Sequence, residues 1–181
     1  MSTLRRDAAR NRERILAAAR ELSAAGEPLQ LNVVARRAEV GIGTVYRHFG
    51  TPEALSEGLV EHRFQELIAG ARSAAERPDS VEAVREFLAS ALEAFVADPS
   101  FAAASVNSAP VRDETRALRA ELIDAFGTLV ARASRHLKPG LDALDLMILV
   151  CGLGYSARLR PEKAPLYMEA FLDEIIPVKA R

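Results

Sequence analysis

The run Val33-Val34-Ala35-Arg36-Arg37-Ala38-Glu39-Val40-Gly41-Ile42-Gly43-Thr44-Val45-Tyr46-Arg47-His48-Phe49 leaves the chain few choices. Its apolar residues recur at helical spacing on either side of Glu39-Val40-Gly41. That pattern predicts two short helices joined by a tight turn. The second helix then offers an aromatic, a guanidinium and an imidazole to a partner. This layout suits a helix-turn-helix whose second helix enters a DNA major groove.

The flanking sequence supplies the rest of a small helical head. Ile15, Leu16, Ala19 and Leu22 share one face of a helix expected over about Asp7 to Ala25, and Gly26 stops it. The next two helices are expected over about Leu31 to Ala38 and Ile42 to Phe49. Thr51-Pro52-Glu53 then reads as a helix start: a hydroxyl cap, a proline in the first turn and an acid at the positive end. That fourth helix, Pro52 to about Ala75, should link the head to a body.

Charge is divided the same way. The net charge is −1, yet residues 1–50 sum to +4 and residues 51–181 to −5. All nine N-terminal bases are arginines, the side chain best suited to phosphate and guanine. A basic head on an acidic body fits a reader of DNA better than a general polyanion binder.

At 100° per residue, Val45 and Phe49 face the head's core and Arg47 points away from it. Gly43 lies one turn before Arg47 and lets the backbone approach DNA. Thr44 and Tyr46 flank that outer face, with His48 toward Thr44. Arg47 can bond bidentately to guanine, Thr44 can meet a thymine methyl or a phosphate, and Tyr46 and His48 suit phosphate oxygens. Arg5, Arg6 and Arg36 are further phosphate candidates, and Thr51 opens a helix N-terminus that attracts anions. Each residue also admits a plainer reading. Tyr46 could pack, His48 could be structural, Arg36 and Arg37 could be a solvated face, and Arg5 to Arg14 a charged terminus. Their joint placement on one outer face carries the argument.

The body breaks at Pro78, Asp98-Pro99, Ala109-Pro110, Pro139-Gly140, Pro161 and Pro165. Helical patterns are expected over Ser80–Ala97, Phe101–Asn107, Arg112–Leu137, Leu141–Leu159 and Leu166–Ile176. With 49% hydrophobic residues and few β-branched runs, the chain is expected to be all-α. The expected division is a three-helix DNA-binding domain over 1–50 and a ligand-binding and dimerisation domain over 51–181.

Leu144 to Leu153 is apolar on nearly all sides and so should be buried on all sides. One face can cover the protomer core and the other can meet a twin, with Gly152 and Gly154 allowing close approach. Leu146, Leu149, Leu153, Leu166, Phe171 and Leu172 are the candidate dimer contacts; the same helices could instead close a monomeric core. Phe64, Phe87, Ala91, Phe95, Phe101, Leu122, Phe126, Met147 and Cys151 could line an apolar cavity, with Asn107, Tyr155 and Arg112 as polar anchors. They could equally be core. A hydrophobic or aromatic effector that prefers the non-DNA geometry of the heads would weaken DNA binding.

Other classes find less support. The longest apolar run, Leu146 to Leu153, is far short of the ~20 residues of a membrane span, and no signal peptide is visible, so a cytoplasmic protein without membrane contact is expected. The histidines His48, His62 and His136 and the one cysteine show no metal-ligand spacing. No phosphate-cradling loop or nucleophile elbow occurs, so no enzyme, metal or cofactor is expected. A helical module that binds another protein rather than DNA is the alternative.

Three segments resemble the TetR family of transcriptional regulators: Arg14-Ile15-Leu16-Ala17-Ala18-Ala19-Arg20-Glu21-Leu22, Ala35-Arg36-Arg37-Ala38-Glu39-Val40-Gly41, and Gly43-Thr44-Val45-Tyr46-Arg47-His48-Phe49 followed by Glu53-Ala54-Leu55. The resemblance is confined to about residues 10–60; beyond residue 70 it is one of helix layout. It implies an all-α homodimeric repressor whose heads bind a palindromic operator and whose body holds a small-molecule pocket, with the last two long helices forming a four-helix interface. By matched position, Thr44, Tyr46 and His48 would take groove and phosphate contacts and the start of the fourth helix a phosphate. The chain departs from the family pattern at Ser23, Gln30, Ile42 and Pro52, and each change removes a charge or a contact.

Overall fold

Every regular element in the computed structural model, which describes residues 3–106 and 109–176, is a helix. Contacts divide the chain into two compact units. The first holds the chain up to Glu61 together with Ala109–Thr115; the second holds the remainder.

In the first unit, α1 (Thr3–Ala24) begins earlier than its apolar spacing suggests, because its first turns are polar and carry no periodicity. Ile15, Leu16, Ala19 and Leu22 are all buried. Gly26 ends the helix at φ +72°, with its N–H on the Ser23 carbonyl and the Glu27 N–H on the Leu22 carbonyl. This is the left-handed termination that glycine adopts most readily. Helix α2 (Leu31–Arg37) buries Leu31, Val34 and Ala35, and α3 (Ile42–His48) buries Val45. Gln30 occupies the α2 N-cap without a side-chain bond to it.

The turn between α2 and α3 holds one left-handed residue among Glu39-Val40-Gly41. Its left-handed residue is Glu39, at φ +50°, and not Gly41, which is extended at φ −64°. The Val40 N–H reaches the Ala35 carbonyl and the Glu39 N–H the Arg36 carbonyl, the same double closure that Gly26 makes. Arg14 donates to both the Glu39 carbonyl and its carboxylate.

Helix α4 (Pro52–Glu76) starts as expected: Thr51 Oγ1 accepts the Ala54 N–H at 3.1 Å. Gly58 on α4 makes room for Phe49, since a Cβ there would stand 2.5 Å from the ring.

In the second unit, α5 (Ser80–Ala97) is capped by Asp79 and buries a full stripe from Ala83 to Phe95. Asp98 breaks the chain and caps α6 (Pro99–Val106) through the N–H groups of Ser100 and Phe101. Helix α7 (Asp113–Ala133) tightens to a 3₁₀ turn at Ser134–His136, short of the Leu137 expected as its end. Helix α8 (Ala143–Ala157) opens on a capping box between Asp142 and Asp145. Helix α9 (Ala164–Ile175) follows a second 3₁₀ turn, with Pro165 in its first turn. Gly154 lets α8 settle on α5, because a Cβ there would lie 2.5 Å from the Phe95 ring; Gly152 faces open space. No single helix among the described residues is long and apolar enough to cross a membrane.

Candidate nucleic-acid interface and effector cavity

Helix α3 turns its two faces as its periodicity requires. Val45 and Phe49 are sealed from solvent at 0% and 1% exposure, while Gly43 and Arg47 are exposed and Tyr46 is 56% exposed. Thr44 and His48 are half-buried at the edges. Arg47 lies along the outer face, where its Nη2 donates to Thr44 Oγ1 at 3.1 Å. That bond holds the guanidinium above the helix rather than against the core.

His48 sits in a positive neighbourhood. Its burial, then the charges of Arg12 and Arg47, hold its pKa below the ordinary 6.5. It is therefore neutral at pH 7 and can donate one N–H without carrying charge.

The arginines sort into two groups that sequence does not separate. Arg12 pairs with Glu61 at 2.6 Å, Arg14 with Glu39 and Arg37 with Glu21, so these hold the head together. Arg5, Arg6, Arg10, Arg20, Arg36 and Arg47 are exposed and make no ion pair among the described residues. Thr51 is exposed, with its oxygen engaged as the α4 cap.

Glu57 and Glu61 escaped the sequence reading. Glu57 is 4% exposed, and its carboxylate accepts the N–H groups of Val111 at 2.8 Å and Arg112 at 3.1 Å. Glu61 pairs with both Arg12 and Arg112. Both guanidinium groups lie over the Phe49 ring, 5.7 and 5.5 Å from its centre. Thus Ala109–Thr115 is bonded into the first unit, and Arg112 is committed there rather than anchoring a ligand. A carboxylate on the same helical face as Ala54, Val60 and Phe64, all buried, was the available signal.

The second unit contains a cavity of about 760 Å³. Phe64, Leu67, Phe95, Phe101 and Leu122 form its apolar interior, and Ser105, Arg119 and Asp124 are its polar lining.

No protein-family model matches the chain, and no curated protein does. Solved structures do. A TetR transcription regulatory protein from Mycobacterium vanbaalenii is 29% identical, covering 96% of this chain and 99% of its own, with a TM-score of 0.54. The TetR transcriptional regulator SCO0520 from Streptomyces coelicolor is 27% identical over 92% of this chain and 99% of its own, at a TM-score of 0.57. The regulator FadR from Bacillus subtilis, in complex with stearoyl-CoA, shares the fold at 15% identity and a TM-score of 0.65, covering 90% and 98% of the two chains. Over nearly its whole length the chain is similar to TetR-family transcriptional regulators.

Of the residues expected to line a pocket, Phe64, Ala91, Phe95, Phe101, Leu122, Met147 and Cys151 line the cavity. Phe87 and Phe126 do not: their rings stack at 4.6 Å and fill the core instead. Tyr155 is 66% exposed and lies off the cavity. Asn107 falls outside the described residues. Burial pushes the Cys151 thiol up to about 11, against a smaller opposing pull from Arg119.

The candidate dimer residues divide as well. Leu149 and Leu166 are exposed, and Leu153 and Phe171 are half-buried. Leu146 and Leu172 are buried in the protomer's own core, because they occupy the inward faces of α8 and α9, and cannot meet a twin. Leu144 and Ile148 are exposed beside Leu149 on α8, and both also line the cavity.

Proposed function

We propose that this chain is an effector-responsive repressor of the TetR family that binds a palindromic operator as a homodimer in the cytoplasm. The observation that carries this reading is the polarity of α3: Val45 and Phe49 are sealed inside and Arg47 is held on the outside. An outward helix of this kind can enter a major groove with Arg47 reading guanine and Thr44 beside it. Tyr46, His48, Arg5, Arg6, Arg36 and the Thr51 helix start are assigned to phosphates. The head is taken as residues 1–50 and the sensing and dimerising part as 51–181, joined through α4.

The exposed apolar residues Leu144, Ile148, Leu149 and Leu166 are assigned to the second copy, since an exposed apolar face of this kind marks an interaction site. Two solved structures of this fold are complexes with small molecules, one with stearoyl-CoA and one with triclosan, which supports effector binding here. The cavity, at about 760 Å³, has the size of a drug-sized ligand site. Repression follows most simply, because a bound dimer blocks polymerase by occupancy alone.

A gel shift with promoter DNA tests the reading. Log affinity should fall steeply with log salt concentration. Arg47→Ala should cost about 1–3 kcal/mol and relax sequence preference. Arg5→Ala should weaken all sequences alike. Retention of no DNA at low salt, or an Arg47→Ala protein that still discriminates its operator like wild type, would refute it.

A further inference from the structure

Three helices of the second unit each bring a phenyl ring to its cavity: Phe64 on α4, Phe95 on α5 and Phe101 on α6. The rings do not stack on one another. Phe101 meets Phe64 edge to face, with centres 5.0 Å apart and planes at 67°. It meets Phe95 in the same manner at 6.5 Å and 73°. Rings set at steep angles offer a further ring both faces and edges, the arrangements in which aromatic pairs attract. Met147 lines the cavity from α8, and its polarisable sulfur favours contact with a ring. A saturated chain or ring fills the same space and gains neither interaction. The void of about 760 Å³ is also several times the roughly 150 Å³ that holds one benzene, which leaves room for linked or fused rings.

The polar lining calls for no ionised group on a ligand. Arg119 already has an interaction partner of its own. Asp124 is exposed, so water screens its carboxylate. The Ser105 hydroxyl oxygen is closed even to a water-sized probe, so a ligand in the cavity does not reach it. Cys151 shows how this wall treats charge. Burial raises its thiol to about 11 and outweighs the opposing pull of Arg119. An anion beside α8 therefore costs more in lost hydration than Arg119 offsets, and a cation meets the same cost with repulsion added.

We propose that the effector is an uncharged aromatic molecule of linked or fused rings, seated among Phe64, Phe95, Phe101 and Met147. The inference rests on the reading of this cavity as the effector site. Phe101 is the selecting residue, because its ring touches both of the others and is 3% exposed. Area burial alone does not separate an aromatic ligand from its saturated counterpart, whereas ring-to-ring contact does.

Displacement of the uncharged fluorescent dye N-phenyl-1-naphthylamine from the full-length protein at neutral pH tests this. The competitors are 2-naphthol, its saturated counterpart decahydro-2-naphthol, the anion 2-naphthoate and the cation 2-naphthylmethylammonium. 2-Naphthol should bind at least about threefold more tightly than decahydro-2-naphthol, and at least about tenfold more tightly than either ion. Phe101→Leu keeps an apolar lining but removes the central ring. It should bring the advantage of 2-naphthol over decahydro-2-naphthol below about twofold. The ranking of the four competitors needs no variant, so it stands even where the substitution impairs folding. Failure of the dye to bind, equal or tighter binding of decahydro-2-naphthol or of either ion by the wild-type chain, or an aromatic preference unchanged in Phe101→Leu would overturn the proposal. A gel shift on the same samples separates the two readings. Aromatic preference in a protein that retains no DNA upholds this assignment and sinks the repressor. DNA retention with no aromatic preference does the reverse.

Discussion

The carboxylate of Glu57 accepts the backbone N–H of Arg112 at 3.1 Å, across a separation of 55 residues. It takes the Val111 N–H as well, so one buried side chain satisfies two backbone donors of the segment preceding α7. Glu57→Gln keeps the volume but removes the charge and replaces one acceptor with a donor. One of the two N–H groups then loses its partner. The expected loss is about 1–3 kcal/mol, the usual penalty for an unsatisfied buried group. The urea midpoint of the variant measures it. A midpoint within error of wild type would show that the contact contributes nothing.

Glu39 supplies a second prediction. A non-glycine residue at φ +50° stores strain, and a β-branched one there stores more. Glu39→Val should therefore destabilise the head by about 1–3 kcal/mol. Glu39→Gly should be close to neutral, because relief of strain is offset by added backbone freedom and by loss of the bonds from Arg14. Thermal melting of the two variants decides it: the order Gly above Val is required, and the reverse order would contradict the left-handed assignment.

The contrast between these residues and the helix ends explains what sequence could and could not reveal. Helix ends are local events. Thr51-Pro52, Asp142 with Asp145, and Gly26 announce theirs through hydroxyl, carboxylate and backbone chemistry within one turn. The inward turn of Val45 and Phe49 is equally local, since it follows from a 3.6-residue repeat. Glu39 was masked by Gly41, which is the commoner holder of positive φ yet is extended here. Glu57, Glu61 and Arg112 meet across more than 50 residues, beyond the reach of any periodic argument. The cavity was legible only in part. Periodicity says which side chains point inward, but not whether they meet, as Phe87 and Phe126 do, or leave a void, as Phe95 and Leu122 do. On the all-apolar α8 it could not rank faces, so Leu146 was placed outward when it is buried.

With His48 on a phosphate as proposed, DNA binding should depend on pH with a definite sign. Burial and the nearby Arg12 and Arg47 favour the neutral imidazole, so the folded chain holds its proton less tightly than the unfolded chain, whose histidine titrates near 6.5. The unfolded state therefore binds more protons, and this group's contribution to stability is intact above 6.5 and falls as pH drops below it. A phosphate beside His48 acts in the opposite direction, since it favours the imidazolium. Operator binding should then take up protons, and affinity should rise as pH is lowered from about 7.5 to about 6. Gel shifts at constant salt across this range should show the rise in wild type and a flatter profile for His48→Gln. Equal slopes in the two proteins would remove His48 from the phosphate contacts.

Gly152 and Gly154 lie two residues apart on α8, and they should respond in opposite ways to the same methyl group. At Gly154 a Cβ would stand 2.5 Å from Cδ1 of Phe95 and 2.9 Å from its Cγ, too close for the ring to remain in place. Phe95 is 2% exposed, so it can yield only into its neighbours or into the cavity that it lines. Gly154→Ala should cost about 1–3 kcal/mol through overpacking. It should also narrow the cavity, so that binding of an apolar probe weakens more than operator binding does. At Gly152 a Cβ meets nothing within 4 Å, and an alanine in a helix gains up to about 1 kcal/mol over glycine. Gly152→Ala should therefore raise the melting temperature of the chain. Should both variants melt alike, the close seating of α8 on Phe95 would be wrong, and with it the wall that Phe95 gives the cavity.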